Sequence, residues 1–104
     1  MNIDTGQQSN SEETWLLRLY IAGQTPKSMA ALANLRKLCE SQPEWHYEIE
    51  VVDLMEHPER AKMDQVVAIP TLVRRLPTPL KKLIGDLSDR EKVLRGLEVV
   101  PLPS

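Results

Sequence analysis

Two stretches of the chain alternate or cluster their apolar residues as β-strands do, and the segment between them repeats as a helix does. Trp15 to Ile21 (WLLRLYI) is a short run of apolar and aromatic residues with the length of a buried strand. Arg18 interrupts it, which places that residue near a sheet edge or opposite an acid. Tyr47 to Asp53 (YEIEVVD) has a period of two, with Tyr47, Ile49 and Val51 expected inward and Glu48 and Glu50 outward. Between them, Met29, Leu32, Leu35, Leu38 and Cys39 recur on one helical face. Thr25 is positioned to accept from the free amides of the first turn, Pro26 suits the first helical position, and Pro43 ends the segment. Parallel strands need a crossover of about a dozen residues or more, and this helix supplies it, so the first half is a βαβ unit.

The second half is punctuated by prolines. His57-Pro58 opens a short polar helix predicted over Glu59 to about Val66. Pro70 has no N–H for a ladder and so starts a strand rather than sitting inside one, which predicts a strand over Thr71–Leu76. Pro77-Thr78-Pro79 forces a turn, and Lys81–Ile84 returns antiparallel. Gly85 breaks that strand. Ser88-Asp89-Arg90-Glu91 reads as a capping box, followed by a helix with Val93, Leu94, Leu97 and Val100 on its apolar side and a stop at Pro101. The predicted order is β-α-β-α-β-β-α, an α/β domain over residues 14–100. Residues 1–13 are polar and aperiodic and are expected to form a flexible tail, with 101–104 frayed.

Composition removes several function classes. With 104 residues, 41% of them apolar and 27% charged, the chain has room for one core. The absence of Phe makes that core aliphatic. A net charge of −2 gives no global attraction to nucleic acid or an anionic membrane. No apolar run approaches the roughly 20 residues of a membrane helix, and the first residues lack the apolar stretch of a signal peptide, so a cytoplasmic protein is expected. His46 and His57 have no second ligand at metal-binding spacing, and no phosphate loop or nucleophile motif is present. The expectation is a chain without cofactor, metal or catalytic residues. One charged feature invites a partner: Arg74, Arg75, Lys81 and Lys82 all fall on the predicted hairpin, where they would meet an acidic protein surface or guard an edge strand. Without interleaved aromatics they do not read as a nucleic-acid site.

The stretch Ala68-Ile69-Pro70-Thr71-Leu72 resembles the loop that opens the third strand of thioredoxin-like domains, where the proline is cis. Thioredoxin-type exchange needs a low-pKa thiolate at the start of the first helix and a resolving cysteine three residues on. The corresponding turn here is Thr25-Pro26-Lys27-Ser28, and the single cysteine, Cys39, lies most of a helix away as an expected packed, inert thiol. One cysteine also excludes an internal disulfide.

Three strings narrow the resemblance: Leu19 to Ser28 (LYIAGQTPKS), Ile69 to Leu72 (IPTL) and Leu83 to Leu97 (LIGDLSDREKVLRGL) are together similar to the KaiB family of circadian-clock proteins. The resemblance implies a thioredoxin-like, KaiB-type fold with a constant β-α-β half. The other half adopts β-α-α-β in a ground-state tetramer or α-β-β-α in a switched monomer. Isolated relatives favour the tetramer, whereas the local pattern here favours the thioredoxin-like order. The resemblance also implies a non-enzymatic regulator that binds a KaiC-type ATPase ring, modulates its phosphorylation cycle, captures KaiA and competes with the sensor domain of a clock histidine kinase. An alternative is a thioredoxin-like adaptor in stress response or signalling without the clock interaction. Gly96 and Glu98 stand at the implied fold-switch positions, and Gly96 inside a helix costs roughly 1 kcal/mol against alanine. Pro70, Pro77 and Pro79 fall in the switching half and are isomerisation candidates. Glu50 and Gln65 occupy positions of the implied ring-binding surface where relatives carry lysine. They join Arg74, Arg75, Lys81 and Lys82 as candidate partner-binding residues.

Overall fold

The computed structural model describes residues 14–98; the predicted tail over residues 1–13 and the expectations for Val99, Val100, Pro101 and the residues after them lie outside the described residues. Strand β1 (Thr14–Ile21) leads through helix α1 (Pro26–Glu40) to β2 (His46–Asp53), pairing parallel to β1. A 3-10 segment (Pro58–Lys62) precedes β3 (Thr71–Leu76) and β4 (Lys81–Ile84), and helix α2 (Arg90–Gly96) comes last. β3 runs antiparallel to β1 and β4 antiparallel to β3, giving the sheet order β2-β1-β3-β4. This is the thioredoxin-like order that local pattern predicts, rather than the β-α-α-β arrangement of the second half.

The alternating side chains of β1 feed two layers. Leu17, Leu19 and Ile21 point to the face covered by α1 and α2, where Ala31, Leu35, Leu38, Cys39, Leu72, Val93 and Leu97 complete the core. Tyr20 points the other way and packs with Val52 and Val73 beneath Leu54 and Val66. The helix face read from periodicity is therefore right in phase, with Ala31 and Ser28 as buried additions. Thr25 caps α1 by accepting from the Ser28 amide at 3.3 Å, as its position predicts.

Several expectations change. Arg18 does not lie at a sheet edge, because β1 is flanked by β2 and β3; its partners are acids instead. Val51 is not inward: β2 is an edge strand, and Val51 stays 39% exposed while Val52 is buried on the opposite face. The polar helix predicted to about Val66 shortens to a 3-10 segment ending at Lys62, held by amide bonds from Arg60 to His57 and from Met63 to Arg60. Asp89, not Ser88, caps α2: its carboxylate accepts from the Lys92 amide at 3.1 Å, while the Ser88 amide donates to Asp86. The peptide bonds before Pro70, Pro77 and Pro79 are all cis.

Gly96 is not a helix-interior glycine. It is the last residue of α2, and a Cβ built there would lie 2.1 Å from Leu83 Cδ2 and 3.0 Å from Leu83 Cγ. The missing side chain lets α2 sit directly on β4, so space rather than helix propensity fixes the residue. Glu98 lies just beyond with φ of 60°, turning the chain out of the helix, and its carboxylate meets Lys81 Nζ at 2.7 Å. Gly96→Ala is therefore expected to destabilise this arrangement by about 1–3 kcal/mol through overpacking. Urea denaturation checks it, with Leu83→Ala in the same chain restoring part of the loss. A gain of about 1 kcal/mol, as propensity alone demands, would contradict the packing argument.

Candidate functional site: a charged sheet face beside the cis-proline loop

On the sheet face opposite the helices, three donors converge on one buried acid. The Asp64 side chain is fully buried; Oδ2 accepts from Tyr20 Oη at 2.7 Å and from Arg18 Nη1 at 3.0 Å, and Oδ1 accepts from Arg75 Nη1. Arg18 extends the network through Nε to Glu50 at 2.7 Å, and Arg60 Nη2 reaches the other oxygen of Glu50 at 2.9 Å. Burial pushes the Asp64 pKa upward, but bonds from Tyr20, Arg75 and Arg18 outweigh it and hold the carboxyl below its ordinary value. Bonds from Arg60 and Arg18 likewise hold Glu50 below the usual carboxylate range. Burial disfavours the Arg18 charge, yet Glu50, Tyr20 and Asp64 as neighbours raise its pKa above the usual guanidinium value. Burial and the bond to Asp64 raise Tyr20.

Asp64 is the residue that sequence reasoning missed. Its stretch is polar and aperiodic, so nothing local marks it. The available signal was indirect: Arg18 and Tyr20 lie two apart on a central strand and so share one face, and two buried donors on a face require an acceptor.

Beside this network the chain from Gln65 to Pro70 presents apolar side chains to solvent. Val67 is 89% exposed and Met55 73%, and Ile69 is partly exposed at the cis bond. An open groove of about 440 Å³ runs between Leu54, Pro58, Ala61, Val66, Val67 and Ile69. Gln65 is exposed, in the left-handed region at φ 54°, and its carbonyl accepts from Lys82 Nζ at 3.2 Å. Of the predicted partner-binding residues, the structure thus brings Glu50, Gln65, Arg75 and Lys82 to one side of the sheet.

The hairpin cations do not form the single patch that their sequence positions suggest. Arg74 and Lys81 are paired across the strands and face the helices; Arg75 and Lys82 face away. Arg74 is 3% exposed, stacked 5.4 Å from the Trp15 ring, with Nη2 donating to the Pro79 carbonyl at 2.8 Å and Nη1 to the Leu97 carbonyl. A buried guanidinium occupied in this way is part of the core, not a docking residue. Lys81 is held by Glu98.

The turn that holds thiols in thioredoxins has hydroxyls with other tasks. Ser28 is buried and its Oγ accepts from the Ala22 amide at 3.2 Å. Cys39 is buried, and burial with nearby Glu40 pushes its thiol up to about 11, leaving little thiolate at neutral pH. Among the described residues, no His, Cys, Asp and Glu cluster could hold a metal ion, and no helix is long and apolar enough to cross a membrane.

The Asp64 network sets a pH dependence. Asp64 and Glu50 both have depressed pKa values in the folded chain, so their contribution is fully present above the unfolded carboxylate range of about 3.9–4.3. It is lost as pH falls below that range and through the folded values. Asp64→Asn is expected to cost about 3 kcal/mol at neutral pH, because Arg18 and Arg75 lose a buried counterion. The variant should also lose stability less steeply than the parent on acidification. Urea melts at neutral pH and at acid pH read both effects.

Comparison with known proteins agrees with this geometry. The KaiB domain family matches residues 18–99. The chain is 47% identical over 91 residues to the circadian clock oscillator protein KaiB of Prochlorococcus marinus (strain NATL2A), covering 88% of this chain and 85% of the relative. It is 43% identical over 86 residues to the circadian clock protein KaiB3 of Synechocystis sp., covering 83% and 84%. Among solved structures, the N-terminal domain of Synechococcus elongatus SasA superposes with a TM-score of 0.67 at 20% identity, covering 88% of this chain and 90% of that one. Mitochondrial thioredoxin 3 of Saccharomyces cerevisiae gives 0.66 at 22% identity, covering 92% and 89%. These two likenesses carry the fold; the sequence relatives carry the family. The chain belongs to the KaiB family.

Proposed function

We propose that this chain is a non-enzymatic clock regulator that docks as a monomer on a KaiC-type ATPase ring in the cytoplasm and modulates its phosphorylation cycle. The observation that supports it best is the thioredoxin-like order of the second half in a chain with clock oscillator relatives. In that order Gln65, the groove from Leu54 to Ile69 and the outer sheet face with Glu50 form one surface. A ground-state tetramer that yields this monomer, capture of a KaiA-type protein by the complex, and competition with a thioredoxin-like sensor domain belong to the same reading. The shared fold of the SasA N-terminal domain supports the last of these. The absence of cysteine from the turn over residues 25–28 supports a binding rather than a redox role.

Charge at the docking surface depends on how each residue is paired. Glu50 stands where the family resemblance implies a lysine, but Arg18 and Arg60 already pair with it. It therefore presents less negative potential to a partner than an isolated glutamate. Gln65 is a neutral side chain where the resemblance implies a lysine, with Lys82 Nζ beside it at 3.2 Å from its carbonyl.

Native mass spectrometry of the purified chain, alone and mixed for hours with a KaiC-type hexamer and ATP, tests the proposal. Monomers accumulating on the ring are expected. Gln65→Lys is expected to tighten binding by about three- to tenfold at low salt, as for a rim charge facing an acidic site. Glu50→Lys should instead lower folding stability by bringing a third cation to Arg18 and Arg60. A folded chain that never joins the ring, with or without Gln65→Lys, would overturn the ring-binding reading and leave the stress or signalling adaptor.

A further inference from the structure

The sulfur atoms of the described residues divide sharply by exposure. Cys39 is buried, and Met29, on the inner side of α1, packs against the core. Met55 and Met63 are instead 73% and 57% exposed. Both belong to the connection between β2 and β3 that forms the apolar groove. Met55 follows Leu54 of the groove wall, and Met63 comes just after Ala61 of the same wall. Methionine ordinarily fills gaps in a core, and these two, left in water, contribute little to packing.

Fixed backbone holds each thioether outward. Asp53 Oδ1 accepts from the Met55 amide and from the Gly23 amide, both at 2.9 Å. That shared carboxylate sets Met55 beside the turn before α1, and a Cβ on Gly23 would lie 3.7 Å from Met55 Cγ. Gly23 leads into residues 25–28, the turn with hydroxyls in place of thiols. The Met63 amide donates to the Arg60 carbonyl at 3.1 Å, and the next residue is the fully buried Asp64. With Asp64 anchored over the sheet, Met63 stays on the solvent side of the connection.

We propose that Met55 and Met63 are oxidation sites, and that their conversion to sulfoxides by hydrogen peroxide turns off the apolar docking face. The sulfur lone pair attacks one peroxide oxygen, and an S–O bond forms as the O–O bond breaks. The proton of the transferred hydroxyl passes to the departing hydroxide, which leaves as water; sulfur gives up an electron pair and peroxide gains it. A sulfoxide is polar, and covering it with an apolar partner leaves its oxygen unpaired. The core is untouched, because neither thioether fills it. Sulfoxide reductases reverse the change, the oxygen leaving as water while a dithiol is oxidised to a disulfide. The consequence for binding rests on the ring-docking reading; the sites of oxidation do not.

Treatment of the full chain with dilute hydrogen peroxide, followed by peptide mass spectrometry, tests the sites. Met55 and Met63 are expected to gain an oxygen each at least about fivefold faster than Met29. Equal rates, or Met29 first, would overturn the proposal. The oxidised chain should elute earlier from a phenyl hydrophobic-interaction column, and its Kd for the ATPase ring should rise about tenfold or more. Methionine sulfoxide reductases A and B with dithiothreitol should restore both values. A chain carrying Met55→Leu and Met63→Leu, compared with its own untreated sample, should change in neither after peroxide. Unchanged phenyl retention or unchanged ring affinity in the oxidised parent would sink the proposal. An untreated chain that never joins the ring fails the docking reading instead, and the phenyl column then decides this one.

Discussion

A single buried carboxylate sets where the chain between β2 and β3 lies. Asp64 removed from water would be driven to its neutral form, and only the donors brought by Arg18, Tyr20 and Arg75 reverse that tendency. Because Arg18 and Tyr20 stand on the central strand, the acid can be satisfied in one place only, over the middle of the sheet. The 3-10 segment, Gln65 and the exposed apolar residues before Pro70 take their positions from that requirement. A chain with a short irregular crossover and few apolar contacts of its own would otherwise leave this surface poorly defined. Breaking the ion pairs from one side leaves buried charge, so the constraint is specific as well as stabilising.

The opposite face is fixed by shape rather than charge. Gly96 lets α2 approach Leu83, and Arg74 ties the carbonyl that ends α2 to the carbonyl of Pro79. Glu98 adds its ion pair to Lys81 across the same seam. Each contact joins α2 or the residues at its end to the β3–β4 hairpin. Gly96 and Glu98, the positions implied by family resemblance to govern the fold, therefore have a physical role that needs no appeal to helix propensity. One removes a side chain that would collide, and the other accepts a left-handed backbone and an ion pair.

Much of the domain was legible because its signals are local. The period of two in β2, the helical face of α1, the cap at Thr25 and the proline that opens β3 each arise from a few consecutive residues. What escaped depends on partners distant in sequence. Asp64 looks like any polar loop acid until Arg18, 46 residues away, is placed above it. Arg74 and Arg75 look equivalent until the strand pleat sends one to Trp15 and the other to Asp64. The choice of Asp89 over Ser88 as cap turned on one residue of phase, which the sequence pattern did not resolve because both side chains can cap. Val51 was misplaced for a different reason: alternation predicts a face, but not whether an edge strand's neighbour extends far enough to cover it.

Residue identity at a binding or reactive position also has to be read with its neighbours. Serine at position 28 is not simply a cysteine that was lost, since its buried hydroxyl receives the Ala22 amide and its own amide is held by Thr25. A thiol there would be a weaker acceptor for the same bond, so returning sulfur to the turn would disturb it as well as leaving it without a second cysteine nearby. Glu50 obeys the same logic in charge. An anion where the family resemblance implies a cation looks like a reversal, yet two guanidinium groups grip its two oxygens and spread the difference over Arg18, Glu50 and Arg60. The surface potential a partner meets is that of the group, and Arg60, 28% exposed against 37% for Glu50, contributes the positive side of it. A substitution at Glu50 alone therefore breaks two ion pairs of the fold as well as changing the charge of the face.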